Sequence, residues 1–157
     1  MLIEDFVAAH YEPVRRALTL AIGDRSRAEE LTQEAFAQAW RRWSSVSLMD
    51  RPVAWVYVVA MNRERRWARR GTRWNGLAGG RPESDDPSDD VASAVSLDAA
   101  LRRLAPRQRE AVVLRYLADL TVPEVAKAMG CAEGTIKSTL HAALGRLRVE
   151  LGEDGRR

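Results

Sequence analysis

Residues 121–147, TVPEVAKAMGCAEGTIKSTLHAALGRL, contain the pattern that decides the fold of the C-terminal part of the chain. A capping box, a small residue, a glycine and a β-branched apolar residue follow one another at fixed offsets: Thr121 with Glu124, then Ala126, Gly130 and Ile136. The box starts a helix, the glycine can adopt the left-handed conformation that ends it, and the apolar residue fills the angle to a second helix. This spacing predicts a helix-turn-helix.

The second helix of the pair is expected to enter a DNA major groove with its N-terminal part. Its outward positions carry mainly polar side chains: Glu133, Thr135, Lys137, Ser138 and His141. The buried side of the same helix continues with leucines at 140, 144 and 147. A generic helical hairpin could show the same offsets by chance, but the full set favours DNA binding.

Length and composition limit the class of protein. The 157 residues suit one ordinary domain or two small ones, and a content of 46% hydrophobic and 30% charged residues is normal for a globular chain. The single cysteine, Cys131, cannot form an internal disulfide, and no Cys/His cluster has metal-ligand spacing. We therefore expect a cytoplasmic protein without a metal or cofactor. No secretion signal and no membrane-spanning apolar run is present, so no membrane partner is expected.

Residues that could carry catalysis are sparse. His10 lies on an apolar helix face, and His141 lies on the predicted DNA face. No glycine-rich phosphate loop follows a strand, so nucleotide binding has no support. The sequence therefore predicts neither an enzyme nor a small-molecule substrate.

Charge and composition divide the chain into three segments. Residues 1–74 carry 13 basic and 9 acidic side chains, residues 75–96 carry 1 and 5, and residues 97–157 carry 11 and 8. The acidic stretch is rich in Gly, Pro, Ser and Asp and has too few apolar residues to offset the entropy of ordering. Two mildly basic lobes joined by an acidic linker fit a nucleic-acid partner, although a solvated surface would show the same charges.

The N-terminal lobe is expected to consist of three helices. The first has apolar residues at three- and four-residue steps and a kink at Pro13. The second starts with a capping box, Ser26 with Glu29, and carries one apolar stripe: Ala28, Leu31, Thr32, Ala35, Phe36, Ala39, Trp40 and Trp43. A loop at 44–50 precedes the third helix, which runs from Pro52 to about Arg70. Because no stretch alternates with period two, we predict an all-α fold: two small helical domains, 1–73 and 97–157, joined by a flexible linker at 74–96.

The third helix has two different faces. One of them carries Trp55, Val59, Asn62, Arg66 and Arg69, and further arginines make its C-terminal half basic. Cations beside aromatic rings and an amide are typical of a groove that binds nucleic acid, where phosphates are neutralised and an unstacked base is received. A solvated basic helix end is the alternative, and the local pattern alone favours it.

Several motifs together resemble a known family. Residues 28–36, AEELTQEAF, with AWR at 39–41 resemble region 2 of the extracytoplasmic-function (group 4) sigma factors, in the sigma-70 family of bacterial RNA polymerase. Residues 52–55, PVAW, and 60–62, AMN, resemble the promoter-melting helix that follows. Residues 104–116, LAPRQREAVVLRY, and 134–138, GTIKS, resemble region 4. The resemblance covers both lobes and the absence of a middle domain.

The resemblance implies a transcription initiation factor that binds core RNA polymerase and promoter DNA and helps to open the duplex. It leaves room for an anti-sigma factor as a further partner. By position, the residues that match the polymerase-docking helix are Glu29, Glu30, Leu31, Gln33, Glu34 and Phe36. Those that match the −10 contacts, with the loop at 44–50, are Trp55, Asn62, Arg63, Arg66, Arg69 and Arg70. Those that match the −35 contacts are Thr135, Lys137, Ser138, Thr139 and His141. The acidic linker matches the segment that threads towards the polymerase active site.

The sequence departs from the family pattern in the recognition helix. Positions that often carry basic residues hold Thr139, Ala142 and Leu144, and Ala132 stands where an N-cap Ser or Thr is common. Each lost phosphate contact lowers the affinity for DNA and its dependence on salt. We therefore expect weak −35 binding by the isolated protein. Val58, Met61 and Arg66 are similar departures in the melting helix and affect the −10 preference.

Two other functions compete with the sigma factor. One is a stand-alone helix-turn-helix regulator that binds operator DNA, which the C-terminal lobe alone would also fit. The N-terminal lobe argues against it, because it has no strand–helix alternation and has the polymerase-docking stripe. The other is a protein that mainly sequesters or scaffolds without reading DNA.

Overall fold

The computed structural model describes residues 1–74 and 92–152, with side chains for 1–71 and 97–152. Within these ranges the chain forms helices and no strand, which confirms the all-α prediction. The helices are α1 (Ile3–Ile22), α2 (Arg25–Arg41), α3 (Trp43–Val46), α4 (Pro52–Trp74), α5 (Ala92–Arg103), α6 (Pro106–Val112), α7 (Val122–Met129) and α8 (Glu133–Glu150). A π-turn at Val113–Leu117 extends α6. Most of the predicted linker lies outside the described residues, but α5 begins inside it, five residues before the predicted domain boundary.

The start of the second helix differs from the sequence prediction. The N-cap of α2 is Asp24, whose side chain accepts a hydrogen bond from the Arg27 N–H at 3.0 Å. The predicted capping box at Ser26 and Glu29 is therefore wrong: a better acceptor stands two residues earlier, where the left-handed Gly23 ends α1. α1 continues through Pro13 as one helix.

The helix-turn-helix forms as predicted. The Thr121 N–H donates to Glu124 Oε1 at 2.8 Å, and the Glu124 N–H donates to Thr121 Oγ1 at 3.3 Å, so the capping box is present. Gly130 has φ of 67° and ends α7, and Ile136 is only 1% exposed. Ala132 precedes α8 without a side-chain cap, as its sequence implies.

The core of the N-terminal lobe lies between α1, α2 and α4. Leu18, Leu31 and Val56 are its fully buried centre. The apolar stripe of α2 is buried from Ala28 to Ala39, but Trp40 is 54% exposed. The sequence prediction included Trp40 in the buried stripe, which is wrong because Trp40 shares the helix face of the exposed Gln33, two turns earlier.

The two lobes pack against each other, which the sequence did not predict. α4 of the first lobe lies against α7 of the second, and α1 lies against α6. One continuous cluster of buried side chains therefore runs through both lobes.

Burial of a tyrosine makes the stability of the fold depend on pH in the alkaline range. Tyr57 on α4 is 3% exposed, and burial raises the pKa of its phenol to about 12, against about 10 in an unfolded chain. Below pH 10 both states keep the proton. As pH rises from about 10 to about 12 the unfolded state ionises first, so stability falls by about 1.4 kcal/mol per pH unit from this group. Urea unfolding at several pH values gives the free energy of unfolding as a function of pH. Between pH 10 and 12 this free energy should fall less steeply with pH for Tyr57→Phe than for the wild type. The same change at exposed Tyr116 should leave the slope unaltered, and equal slopes for both variants would contradict this prediction.

Candidate nucleic-acid and polymerase interfaces

The outer face of α2 carries an acidic and amide surface. Glu29, Glu30 and Gln33 are exposed. Glu34 is 34% exposed at its side chain and pairs with Arg63 at 3.3 Å and with Arg41 at 3.6 Å. These four residues are the predicted polymerase contacts that lie at the surface.

Two predicted polymerase contacts face inwards. Leu31 is 1% exposed and Phe36 is 5% exposed, so neither can contact a partner while the lobe keeps this structure. Phe36 packs its ring 5.9 Å from Phe6 and 5.3 Å from Tyr11. Their place in the sequence motif reflects packing, because both belong to the core between α1, α2 and α4.

Trp40 is an exposed residue of this surface that sequence reasoning placed in the core. It stands seven residues, or two turns, after Gln33, so the two share a helix face. That offset was the signal that could have separated it from the buried stripe. We refer below to Glu29, Glu30, Gln33, Glu34 and Trp40 together as the α2 surface.

The residues predicted to bind the −10 element divide into two groups on α4. Arg63, Arg66, Arg69 and Arg70 are exposed along its C-terminal half. Trp55 and Asn62 are half-buried, and the Asn62 Oδ1 accepts a hydrogen bond from Arg65. The structure therefore gathers the four cations on one accessible helix end and holds the aromatic ring and the amide closer to the core.

A buried ion pair fixes α4 against α2. Glu64 is 8% exposed, and its Oε2 accepts from Arg27 Nε at 3.0 Å. The Arg27 guanidinium also lies over the Trp67 ring, 4.4 Å from the centroid, and pairs with Glu30 at 3.2 Å. Because Arg27 and Glu30 are on α2, this network sets the position of the α4 cations relative to the α2 surface.

The predicted loop at 44–50 is partly helical. The short helix α3 occupies Trp43–Val46, and the buried Val46 anchors it, while Leu48 and Met49 are exposed. A cleft of about 380 Å³ opens beside the loop, and its walls include the rings of Phe6, His10 and Trp43. Asn62 is not among its lining residues, so the structure does not bring the loop and this amide together.

The predicted −35 residues lie on the outer side of α8. Thr135, Lys137, Ser138 and His141 are exposed, and Thr139 is half-buried. The Ser138 hydroxyl donates to the backbone oxygens of Thr135 at 3.1 Å and Gly134 at 3.2 Å, so part of its hydrogen-bonding capacity is used locally. Lys137 is the one lysine or arginine within the first three turns of α8, which agrees with the cation-poor reading face expected from the sequence.

Metal binding and membrane crossing find no support in the part of the chain that the structure describes. Among them, no group of three or more His, Cys, Asp or Glu is placed to hold a metal ion. In the same ranges, no helix has both the length and the apolar character needed to cross a membrane.

Comparison with known proteins assigns both lobes. Residues 6–74 match the family Sigma-70 region 2, and residues 94–147 match the family Sigma-70, region 4. The chain is 35% identical over 152 residues to the RNA polymerase sigma-E factor of Streptomyces coelicolor, covering 94% of this chain and 85% of that protein. It is 36% identical over 149 residues to the ECF RNA polymerase sigma factor SigL of Mycobacterium tuberculosis, covering 90% and 83%.

The fold has a solved counterpart. The sigma factor RpoE in complex with the anti-sigma factor NepR, from Bartonella quintana, superposes with a TM-score of 0.76 at 24% identity, covering 94% of this chain and 95% of that one. The order and the fold of the two lobes agree with the relatives above. Together they favour a sigma factor over a stand-alone helix-turn-helix regulator. The chain belongs to the extracytoplasmic-function (ECF) RNA polymerase sigma factors of the sigma-70 family.

Proposed function

We propose that this sigma factor docks on core RNA polymerase through the α2 surface, contacts the −10 element with α4 and the loop at 44–50, and contacts the −35 element with α8. The observation that carries the proposal is the adjacency of two unlike surfaces on one lobe. Glu34 on the α2 surface pairs with Arg63 at the start of the exposed arginines of α4. A polymerase helix bound on the first surface would therefore hold DNA against the second.

The chemistry of each surface suits its proposed ligand. Carboxylates and an amide around an exposed tryptophan fit a basic partner helix, with the ring as the desolvated anchor. Arg63, Arg66, Arg69 and Arg70 fit the phosphates of a melted strand. The aromatic cleft beside the loop at 44–50 has room for an unstacked base, which stacks well on aromatic rings.

The −35 contact is expected to be the weaker one. Thr135, Lys137 and His141 can reach base edges in a major groove, but only Lys137 among them carries a permanent charge. Polymerase would then supply part of the promoter affinity by holding α8 near the DNA, which raises its effective concentration.

As a factor that acts on polymerase, the chain would work in the cytoplasm, and the polymerase would supply the catalysis. An anti-sigma protein is proposed as a further partner, by analogy with the complex of RpoE with NepR.

The decisive experiment adds the purified chain to sigma-free core polymerase and sequences the transcripts made from a library of promoter fragments. We expect co-elution with core and start sites that share two upstream elements. Core polymerase alone is the control. Failure to co-elute together with the absence of promoter-dependent transcripts would contradict the proposal. Tight sequence-specific binding of duplex DNA without polymerase would instead favour an operator-binding regulator.

A further inference from the structure

Trp67 on α4 carries an exposed aromatic ring that belongs neither to the α2 surface nor to the residues predicted to bind the −10 element. It is 54% exposed, so it is not a core residue of the lobe. The guanidinium of Arg27, on α2, lies over one face of the ring, 4.4 Å from its centroid. Because that face is covered, the exposed surface belongs mainly to the opposite face and the edges of the ring. One flat aromatic face is therefore open to a ligand.

The cation beneath the ring is held in place by a buried carboxylate. Arg27 Nε donates to Glu64 Oε2 at 3.0 Å, and the two side chains are 10% and 11% exposed. Burying such an ion pair costs solvation, and replacing one by apolar residues is often neutral or stabilising. The stability of the lobe therefore does not by itself explain the pair. What the pair provides is a fixed position for the guanidinium, and with it for the ring that the guanidinium covers.

Helix geometry places Trp67 between this pair and a group of arginines. Successive residues turn by about 100° around a helix. Glu64 therefore lies about 60° to one side of Trp67. Three exposed arginines lie about 40–100° to the other side: Arg63, Arg66 and Arg70. The open face of the ring thus stands beside the exposed cations of α4.

The arginines next to the ring are available to an anionic ligand. Arg66 and Arg70 have no ion-pair partner in the ranges that the structure describes, whereas Arg63 pairs with Glu34 at 3.3 Å. A single nucleic-acid strand carries a phosphate and a flat base in every nucleotide, so it matches a ring with cations at its side. An acidic peptide would satisfy the arginines, but it does not offer a flat ring next to each negative charge. The combination therefore favours single-stranded nucleic acid.

We propose that Trp67 is a stacking platform for one base of single-stranded DNA, with Arg27 as the residue that positions the ring. The base stacks on the open face while Arg66 and Arg70 neutralise neighbouring phosphates. That this strand is the melted −10 region rests on the function proposed above, but the stacking site itself does not. The site is separate from the cleft beside the loop at 44–50, since Trp67 is not among the residues that line that cleft.

Fluorescence anisotropy of the full-length chain without polymerase tests the site. The probes are two fluorescein-labelled oligonucleotides of equal length and charge: oligodeoxyadenylate, and the same sugar–phosphate backbone with abasic sites only. We expect the wild type to bind the first probe about tenfold more tightly, which is within the usual effect of one stacked base. Trp67→Ala should lose most of this preference, because an abasic backbone has nothing to stack on the ring.

The dependence on salt separates stacking from phosphate contacts. Trp67→Ala should leave the slope of log K against log salt unchanged, because an aromatic ring neutralises no phosphate. Arg66→Gln should reduce the slope by about 0.7, the value for one phosphate of a single strand, and should weaken both probes alike. A merely structural role of Trp67 would instead disturb the neighbouring arginines, so that the slope would change in Trp67→Ala as well.

The positioning role of Arg27 has its own variant. Arg27→Lys keeps a positive charge beside Glu64 but removes the planar guanidinium that covers the ring. The preference for bases should fall part of the way towards that of Trp67→Ala, with an unchanged salt slope. A wild-type preference in Arg27→Lys would overturn the positioning role.

Tyr116→Ala is the matched control. Tyr116 is also an exposed aromatic residue, at 51%, and the Arg115 guanidinium lies 5.4 Å from its ring centroid. Because it lies in the other lobe, outside the arginine group of α4, its loss should leave the preference for bases unchanged. Circular dichroism checks that each variant is folded. If Trp67→Ala unfolds, Trp67→Leu serves, since leucine keeps an apolar side chain beneath Arg27 without an aromatic face.

Two results would overturn the stacking site. One is a preference for bases that is absent from the wild type or that persists in folded Trp67→Ala. The other is a loss of affinity for core polymerase in Trp67→Ala with unchanged binding of both oligonucleotides, which would assign the ring to a protein contact. Base stacking on Trp67 without promoter-dependent transcription would support the site and contradict only the proposed function.

Discussion

Replacing Phe36 by alanine is expected to lower the free energy of unfolding by about 3–5 kcal/mol, the usual loss when a buried aromatic ring is removed and a cavity remains. The ring is 5% exposed and contacts Phe6 and Tyr11 of α1, so the change would loosen the packing of α2 on α1. Urea unfolding followed by circular dichroism measures the effect.

Gln33→Ala on the same helix is the control. Because Gln33 is exposed, its loss should change stability by no more than about 0.5 kcal/mol. Equal stabilities for Phe36→Ala and Gln33→Ala would show that Phe36 is not part of the core. Any loss of polymerase binding in Phe36→Ala is expected to follow from unfolding of α2, which separates this residue from the direct contacts of the α2 surface.

Replacing Trp40 by alanine is expected to weaken binding to core polymerase by about 2–4 kcal/mol, or roughly 30- to 1000-fold in Kd. Tryptophans at the centre of an interface often dominate its energy, and Trp40 is the exposed aromatic ring of the α2 surface. Because the ring is 54% exposed in the free chain, its removal should change stability little. Competition with a labelled sigma factor for core polymerase measures the affinity, and urea unfolding measures the stability.

Trp67→Ala is the matched control for this prediction. Trp67 is also 54% exposed, but it lies on α4 beneath the Arg27 guanidinium. The two variants lose the same amount of aromatic surface, so a larger loss of polymerase affinity for Trp40→Ala assigns the effect to position. Equal losses, or no loss in either variant, would mean that the docking surface lies elsewhere.

The sequence predicted local features well where the residues that produce them lie within a few positions of one another. The box at Thr121 and Glu124 and the left-handed Gly130 depend on neighbours within a few residues, and both form as expected. The start of α2 shows the limit of this approach. The sequence predicted Ser26 as the cap, whereas Asp24, which follows the end of α1 at the turn, is the residue that caps the helix.

Burial was harder to predict than secondary structure. Leu31 and Phe36 fall in a motif that resembles a docking helix, yet they are core residues, while Trp40 fits an apolar stripe and is exposed. Periodicity gives the buried side of a helix but not how much of its circumference the neighbouring helices cover. The exposed arginines of α4 and the polar residues of α8 were placed correctly on the surface, because those elements have one clear apolar side.

The sequence by itself determined the helices, the helix-turn-helix and the family, because these depend on short-range spacing and on motifs in a fixed order. Only the tertiary structure showed that the lobes close on each other. Arg51, Arg65 and Arg109 look like ordinary surface cations in the sequence, and nothing local distinguishes them from Arg66 or Arg70. Across the two lobes they donate to the backbone carbonyls of Asp119, Ala128, Ala21 and Ile22, and Arg51 also binds the Glu124 carboxylate. Every residue carries such a group, so only the folded chain selects which carbonyls remain free to accept a guanidinium.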